Sequence, residues 1–442
     1  MNVLIIGASL SGRSSAILAK KLGYSVFVSE MDKSENFLDA IKEFNQYNIP
    51  YEMGQNSIEN LNSCDIVITS PGVPREAPIL IEATNRGIPI ISEIEFAYQH
   101  CKNPIIAITG TNGKTTTTAL IEHILNQSGI PAIAAGNIGK PFSEVVSNLK
   151  PETVVVLEIS SYQLDRIELF RPNIAIITNI TPDHLKYHKT MEDYIATKWR
   201  IASNQIPEDL LILNFDDEYL SKGNSSLRSR IEYFSIRNSN CKAFVREGKI
   251  IIRQHKEEEL MNISELAIPG VHNVYNSLAA IIAANAMGVS NTSLKHALMT
   301  FQGVNHRLEF VRILNGIKFI NDSKATNVNS TIYALDTYSE PIVWIAGGRS
   351  DNNNYSQLDD LVSKKVKKII CIGEEAEAIY KHFNSIKPTV ICQTFPEAIW
   401  EAYESAEAGD VVLFSPACKS FDMFNNFEHR GDVFKEIVNK LI

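Results

Sequence analysis

Apolar positions recur along this chain in two periods. Short, nearly unbroken runs such as Val3–Ile6, Ile66–Ile68, Ile105–Ile108, Val154–Leu157, Ile174–Ile177, Ile342–Ala346 and Val411–Phe414 read as strands buried on both faces. Between them, Arg13–Leu22, Ala119–Leu125, Met191–Ile201 and Ser277–Met287 place apolar side chains at helical spacing. Strands alternating with helices predict α/β architecture with mainly parallel sheets. Residues 230–268 differ: short β-like runs separated by polar turns predict a small antiparallel region. For 442 residues this implies about three domains, 1–93, 94–303 and 304–442, each able to bury its own core.

The most informative interruption follows the run at 105–108. Gly110-Thr-Asn-Gly113-Lys114-Thr115-Thr116 breaks a strand and opens a helix. Such a turn aims backbone N–H groups and the positive end of the helix dipole at one point. Gly110 and Gly113 let the backbone wrap a phosphate, Lys114 can reach terminal phosphates, and the Thr115 hydroxyl suits Mg²⁺. The loop is tighter than the usual phosphate loop, since position 108 is Ile where a glycine is common. The middle domain thus reads as a P-loop ATPase-like parallel sheet with a triphosphate site.

The chain's start repeats the logic with Gly7-Ala-Ser-Leu-Ser-Gly12 between a strand and a helix, which makes 1–93 Rossmann-like. Its GxGxxG fingerprint is broken at Ser9, which disfavours NAD or FAD and leaves a nucleotide diphosphate open. The third domain, also Rossmann-like, gathers polar residues at strand ends, as in Asn321-Asp322-Ser-Lys324-Ala-Thr326 and Ser415-Pro-Ala-Cys-Lys-Ser420.

Charge and cysteine usage narrow the class. A net charge of −9 argues against non-specific nucleic-acid binding. No apolar run reaches the length of a membrane span, and no basic lead precedes the first strand. Six scattered cysteines without a CxxC pair predict reduced, mostly buried thiols and a cytoplasmic protein.

Other candidates lie at the carboxyl ends of strands, where open α/β sheets collect ligands. Glu158 closes the run 153–157 and is placed as a Mg²⁺-binding acid. Ser160 and Gln163 follow at the same edge, and His184 follows the next strand, so Glu158 and His184 should approach Lys114 and Thr115. Asn273 and Asn276 share one helix face, where they either cap the helix or grip a base or phosphate. Lys198 reads, on pattern alone, as a solvated helix lysine.

Together these motifs resemble the bacterial Mur ligase family. Gly110–Thr115, Asn179-Ile-Thr-Pro-Asp-His184, His272-Asn-Val-Tyr-Asn276, His306-Arg307 and Asn321–Thr326 occur in that family's order and spacing. Ser70-Pro-Gly-Val73, Glu158–Leu164 and Ser415–Asp422 resemble its D-glutamate-adding branch. The resemblance implies an ATP-dependent ligase of peptidoglycan precursor synthesis, joining D-glutamate to UDP-N-acetylmuramoyl-L-alanine through an acyl phosphate. It implies ATP on Gly110, Thr111, Asn112, Gly113, Lys114, Thr115 and Thr116, with contacts from Asn276, Arg307, Asp322 and Lys324. It assigns the UDP-sugar to Leu10, Ser11, Ser70, Gly72 and Asn137, with Ser160 and Gln163 nearby, and D-glutamate to Thr326, Ser420 and Phe427. It further implies two Mg²⁺ sites, on Thr115 and Glu158 and near His184, the second joined by a carbamylated Lys198. Lys114, His184 and Lys198 are the catalytic candidates, in a monomer with no nucleic-acid or membrane partner.

Two departures stand out. Met31-Asp32 replaces a Thr-Arg pair expected to hold the uridine diphosphate, and Asp351 stands where a lysine is expected in the amino-acid pocket. Competing readings are a relative adding another amino acid, a folate ligase, which would lack the N-terminal domain, and a non-catalytic nucleotide-binding paralogue.

Overall fold

The structure, a computed structural model, describes residues 1–349 and 353–442, apart from the side chains of Asn36, Lys186 and Asn329. Asp351 therefore lies outside the described residues. Among those described, no helix is long and apolar enough to cross a membrane. All six cysteines are free thiols, four buried and two half-buried. The chain divides into two compact units, Met1–Leu266 with His272–Phe301, and Ala267–Val271 with Gln302–Ile442.

The first unit holds two sheets. In the first, β1 (Asn2–Ile6), β2 (Ser25–Glu30), β3 (Tyr51–Met53), β4 (Ile66–Thr69) and β5 (Ile90–Ser92) run parallel in the order β3-β2-β1-β4-β5. The order reverses at β1, which opens a crevice beyond the ends of β1 and β4. The helix after β1 spans Leu10–Lys21, starting three residues earlier than its apolar spacing indicates. It packs onto the turn because residue 12 is glycine: a Cβ there would sit 1.9 Å from the Gly7 carbonyl oxygen.

The second sheet is built from β6 (Ile105–Thr109), β7 (Ala132–Gly136), β8 (Val154–Glu158), β9 (Ile174–Ile177), β10 (Leu210–Asn214), β11 (Arg230–Ser235), β12 (Ala243–Arg246), β13 (Lys249–Arg253) and β14 (Glu257–Asn262). Its order, β14-β13-β12-β11-β10-β9-β6-β8-β7, places β6 at the switch between β9 and β8. All five residues of β6, of β8 and of β10 are buried, as their unbroken apolar runs require. Residues 230–262 are not a separate antiparallel region. β11 pairs in parallel with β10 and with β12, and only β12–β14 are antiparallel, extending the same sheet. Alternating polarity reports that one face is exposed; it does not report the direction of the neighbour.

Glu95 ties the end of the first sheet to the second. Fully buried in the helix Glu93–Tyr98, its carboxylate accepts the backbone N–H groups of Glu168, Leu169 and Phe170 at 2.9 to 3.1 Å. Glu95→Ala would leave three backbone donors without their acceptor, the buried Phe170 N–H among them, and so we expect a loss of about 3 kcal/mol, read as a lower urea midpoint. An unchanged midpoint would refute the assignment of Glu95 as a structural tie.

The second unit carries β15 (Glu309–Leu314), β16 (Ile317–Asn321), β17 (Ile342–Gly347), β18 (Val366–Ile372), β19 (Thr389–Ile391) and β20 (Val411–Phe414), ordered β15-β16-β20-β17-β18-β19. Only the β15–β16 pair is antiparallel among these described strands. The parallel strands end together at Asn321, Gly347 and Phe414, which brings the loops after β16, β17 and β20 to one edge.

Candidate functional site

The glycine loop after β6 is shaped by two left-handed glycines, Gly110 at φ 141° and Gly113 at φ 84°. Neither position has room for a side chain. A Cβ on Gly110 would lie 1.9 Å from Thr178 Oγ1, and one on Gly113 2.3 Å from Asn276 Oδ1. Gly113 is also the N-cap of the 14-residue helix Lys114–Gln127, so no cap side chain covers its first-turn N–H groups. Thr115 and Thr116 are buried in that first turn.

The loop is braced from β9. Thr178 Oγ1 donates to the Asn112 carbonyl at 2.6 Å, and Asn179 donates to the same carbonyl while accepting from the Asn112 N–H. This is why the strand stops at Ile177 rather than Ile180: its next two residues turn their side chains to the loop. Thr111 is held by Tyr194, whose hydroxyl lies 3.0 Å from Thr111 Oγ1. Sequence reading missed the bracing role of Thr178 and Tyr194, whose only signal is a hydroxyl after a buried strand and an aromatic at helical spacing. Asn276 is buried, accepts from Thr117 Oγ1 and donates to Asn273, which places its amide beneath the loop-bearing helix.

Lys198 corrects the reading from pattern. It is 1% exposed, and its amine donates to the Gly110 carbonyl at 2.8 Å. Lys114 donates to the same oxygen at 3.0 Å and to the Thr111 carbonyl. Two ammonium groups on one oxygen repel by about 3 kcal/mol at an effective dielectric of ~20. Burial first, then the Lys114 charge, drives the Lys198 amine well below the ordinary lysine range.

Glu158 ends β8 opposite Ile108 and is 1% exposed. Asn137 donates to its Oε1 at 2.8 Å, while Oε2 is buried with no hydrogen-bond partner. A buried carboxylate oxygen left unmatched is costly, and a cation is the natural remedy. Among the described residues no group of three or more His, Cys, Asp or Glu could hold a metal. A single unmatched carboxylate oxygen suits Mg²⁺, which takes one or two protein oxygens and completes its shell with water and phosphate. His184 sits in the left-handed region (φ 54°), packs on the Tyr162 ring at 5.0 Å and lies 3.4 Å from Asp183. Burial, then the Lys114 and Lys198 charges, lower its pKa against the opposing pull of Asp183.

At the first sheet, the Ser70 hydroxyl is buried against the Gly7 carbonyl at 3.4 Å, Leu10 and Gly72 are exposed, and Ser11 is half-buried. Ser70, Tyr162, Gln163 and Tyr187 line one cleft. Gln163 spends its amide oxygen on Ser160, closing a capping box, and Asn137 spends its amide on Glu158. Glu30 accepts from the Ala8 N–H at 2.7 Å. That occupies a donor a dinucleotide pyrophosphate would need.

In the second unit, Asp322 is buried, accepting from the Ser415 hydroxyl and the Leu308 N–H, with half-buried Arg307 nearby. Lys324 lies over the Phe427 ring at 5.6 Å, Thr326 is half-buried, and Ser420 is buried. Arg430, absent from the sequence reading, binds these loops together. Its buried guanidinium donates to Ser323 and to the Cys418 carbonyl.

Burial raises the Asp322 pKa from 3.8 to about 7. A folded value above the unfolded one means the native state holds the proton more tightly, so stability falls as pH rises from about 4 to 7. We therefore expect Asp322→Asn to raise the unliganded melting temperature at pH 8 while changing it little at pH 4. Equal shifts at both pH values would contradict this.

Three family models match the chain: a MurD-like N-terminal domain of Mur ligases over residues 1–92, a Mur ligase middle domain over 108–284, and a Mur ligase glutamate ligase domain over 306–418. The chain is 42% identical to the UDP-N-acetylmuramoylalanine–D-glutamate ligase of Chloroherpeton thalassium, covering 99% of this chain and 97% of that one. It is 40% identical to the enzyme of that name from Clostridioides difficile, covering 99% and 98%. Among solved structures it is similar to the UDP-N-acetylmuramate–alanine ligase MurC of Thermotoga maritima (TM-score 0.62, 21% identity, 99% of each chain). It is also similar to MurF of Acinetobacter baumannii (TM-score 0.62, 18% identity, 94% of this chain and 91% of that one).

Proposed function

The chain belongs to the Mur ligase family, and from that premise we propose that it joins D-glutamate to UDP-N-acetylmuramoyl-L-alanine at the expense of ATP. The observation that carries this reading is the pairing of two lysines on one phosphate-loop carbonyl, one of them buried. A protein that only bound nucleotide would gain nothing from a second, desolvated lysine beneath the loop.

On this reading the first-turn N–H groups after Gly113 and the Lys114 amine hold the β- and γ-phosphates, with Lys114 leaving the loop carbonyls to do so. Thr111, Asn112, Thr115 and Thr116 complete the cradle with Asn276, and Arg307, Asp322 and Lys324 contact the nucleotide from the third domain. Thr115, Glu158, His184 and Lys198 would hold Mg²⁺ at two sites, supplying positive charge where a carboxylate approaches a triphosphate. Lys198 suits carbamylation, because only a neutral amine adds to CO₂ and its site favours that form. The product turns a repelled cation into an oxygen ligand that Lys114 attracts. Leu10, Ser11, Ser70, Gly72 and Asn137 take the UDP-sugar, with Ser160 and Gln163 shaping the cleft. Thr326, Ser420 and Phe427 take D-glutamate.

The substrate carboxylate attacks the γ-phosphate and releases ADP. The amine of D-glutamate then attacks the acyl carbon, and phosphate leaves. We assign domains 1–93, 94–303 and 304–442 to UDP-sugar, ATP and amino acid respectively, in a cytoplasmic monomer. The test is ADP release with UDP-N-acetylmuramoyl-L-alanine and a panel of amino acids. The reading requires D-glutamate to be preferred, and no release with it would overturn the assignment.

D-Glutamate brings two carboxylates, and with Asp351 in place of lysine another cation must meet one of them. Arg349 is adjacent: its backbone bridges Lys419, and its exposed guanidinium lies 3.4 Å from Glu374. Arg349→Ala should raise the D-glutamate KM about tenfold or more, roughly 1.4 kcal/mol, while Asp351→Lys is tolerated. An unchanged KM in Arg349→Ala would remove Arg349 from the pocket.

A further inference from the structure

Residues 70–76, which follow β4, carry more than Ser70 and Gly72. Arg75 reaches out of this loop and grips two carboxylates, Asp165 at the end of the helix Ser161–Leu164 and Asp193 in the first turn of a later helix. Its Nε and Nη2 bind Asp165 as a fork, with Nε at 2.8 Å, and its Nη1 meets Asp193 at 2.7 Å. The guanidinium also lies over the Tyr187 ring, 4.8 Å from its centre. The next residue, Glu76, pairs with Lys189 at 3.2 Å.

These contacts surround the segment that carries His184. The short helix Leu185–His188 is bracketed by two non-glycine residues in the left-handed region, His184 at φ 54° and Lys189 at φ 67°. Such backbone persists only where neighbours over-determine it. The neighbours converge on the two carboxylates. Tyr187 donates to Asp165, while His188 lies 2.9 Å from Ser161 and 3.4 Å from Asp193. Asp193 stands in the first turn of the helix Met191–Trp199, whose last turn bears Lys198. One guanidinium therefore fixes the segment bearing His184 and the helix bearing Lys198. Without it, Asp165 and Asp193 would face each other as uncompensated like charges.

We propose that Arg75 is a positioning residue that couples occupancy of the UDP-sugar loop to the placement of His184 and Lys198. A ligand on Ser70 and Gly72 settles the loop, Arg75 and Glu76 settle with it, and the segment 184–189 is held where it meets the nucleotide's phosphates. This rests on the site assignments made above. The coupling is reciprocal: nucleotide on the phosphate loop should equally tighten the UDP-sugar site.

The test uses the full chain and titration calorimetry. The magnesium complex of a non-hydrolysable ATP analogue is titrated with and without saturating UDP-N-acetylmuramoyl-L-alanine. The wild-type enzyme should bind the analogue about fivefold or more tightly when the sugar is present. Arg75→Met should reduce that gain below about twofold, leave each ligand's separate affinity within about threefold, and lower kcat about tenfold or more. Arg75→Lys, which keeps the charge without the fork, should restore the gain only in part. If Arg75→Met melts markedly lower than wild type, Asp193→Asn, which leaves the Asp165 fork intact, replaces it and should show the same loss of gain. A full gain in the folded variant would overturn the proposal. So would a wild-type enzyme without any gain, even while it releases ADP with D-glutamate. Absence of that ADP release in wild type would instead overturn the reading beneath.

Discussion

Lys198→Ala is expected to lower turnover at least ~100-fold, the scale of losing an electrostatic group aimed at developing charge. The fold should survive, because the residue removed is a cation that burial and Lys114 already disfavour. Part of the activity should return with millimolar formate, acetate or chloride, since a small anion in the vacated space can stand in for a carbamate oxygen beside Lys114. Two readouts check this: steady-state ADP release with and without the anion, and thermal melting of the variant. Turnover within twofold of wild type would return Lys198 to the role of a helix lysine, whatever its burial.

The second large effect is that of Lys114→Ala. Its amine rests on the Gly110 and Thr111 carbonyls of the loop that leads into the helix Lys114–Gln127. Removing a cation from the path of phosphoryl transfer costs about 3 kcal/mol or more, so turnover should fall by ~100-fold or beyond. Loss of Lys114 also removes the charge that repels the Lys198 ammonium, so the Lys198 pKa should rise in this variant. Carbamylation, followed by ¹³C-labelled CO₂ and NMR, should then weaken. Retention of a tenth or more of wild-type ADP release would count against the role given to Lys114.

What the sequence disclosed and what it hid follow from how local each signal is. The phosphate loop was legible because strand, glycine turn and helix start are consecutive residues, and the two positive-φ glycines stand where the turn needs them. Glu158 was legible as a lone carboxylate closing an apolar strand, and β8 does end on it, buried. Lys198 was not legible from pattern. Its helix is amphipathic only in outline, and the carbonyl it meets belongs to Gly110, 88 residues away along the chain. Only the family resemblance marked it. Arg430 was hidden for the same reason: among the charged residues of the helix Phe427–Lys440 it reads as a surface arginine, yet it is 1% exposed and bridges Ser323 to Cys418. The direction of β11 was hidden because alternation fixes faces and not partners. Arg75 was hidden because a loop arginine has no periodicity, and its two carboxylate partners lie 90 and 118 residues away along the chain.

The central claim is that this site activates a carboxylate by passing the γ-phosphate onto it. It is tested most directly with UDP-N-acetylmuramoyl-L-alanine labelled with ¹⁸O in the alanine carboxylate. Attack by that carboxylate on phosphorus, followed by displacement by the amine of D-glutamate, must carry one labelled oxygen into inorganic phosphate for each amide bond formed. Mass spectrometry of the released phosphate should therefore show one ¹⁸O per turnover. Phosphate free of label, formed alongside the amide product, would mean that the carboxylate never attacked the γ-phosphate and would contradict the account.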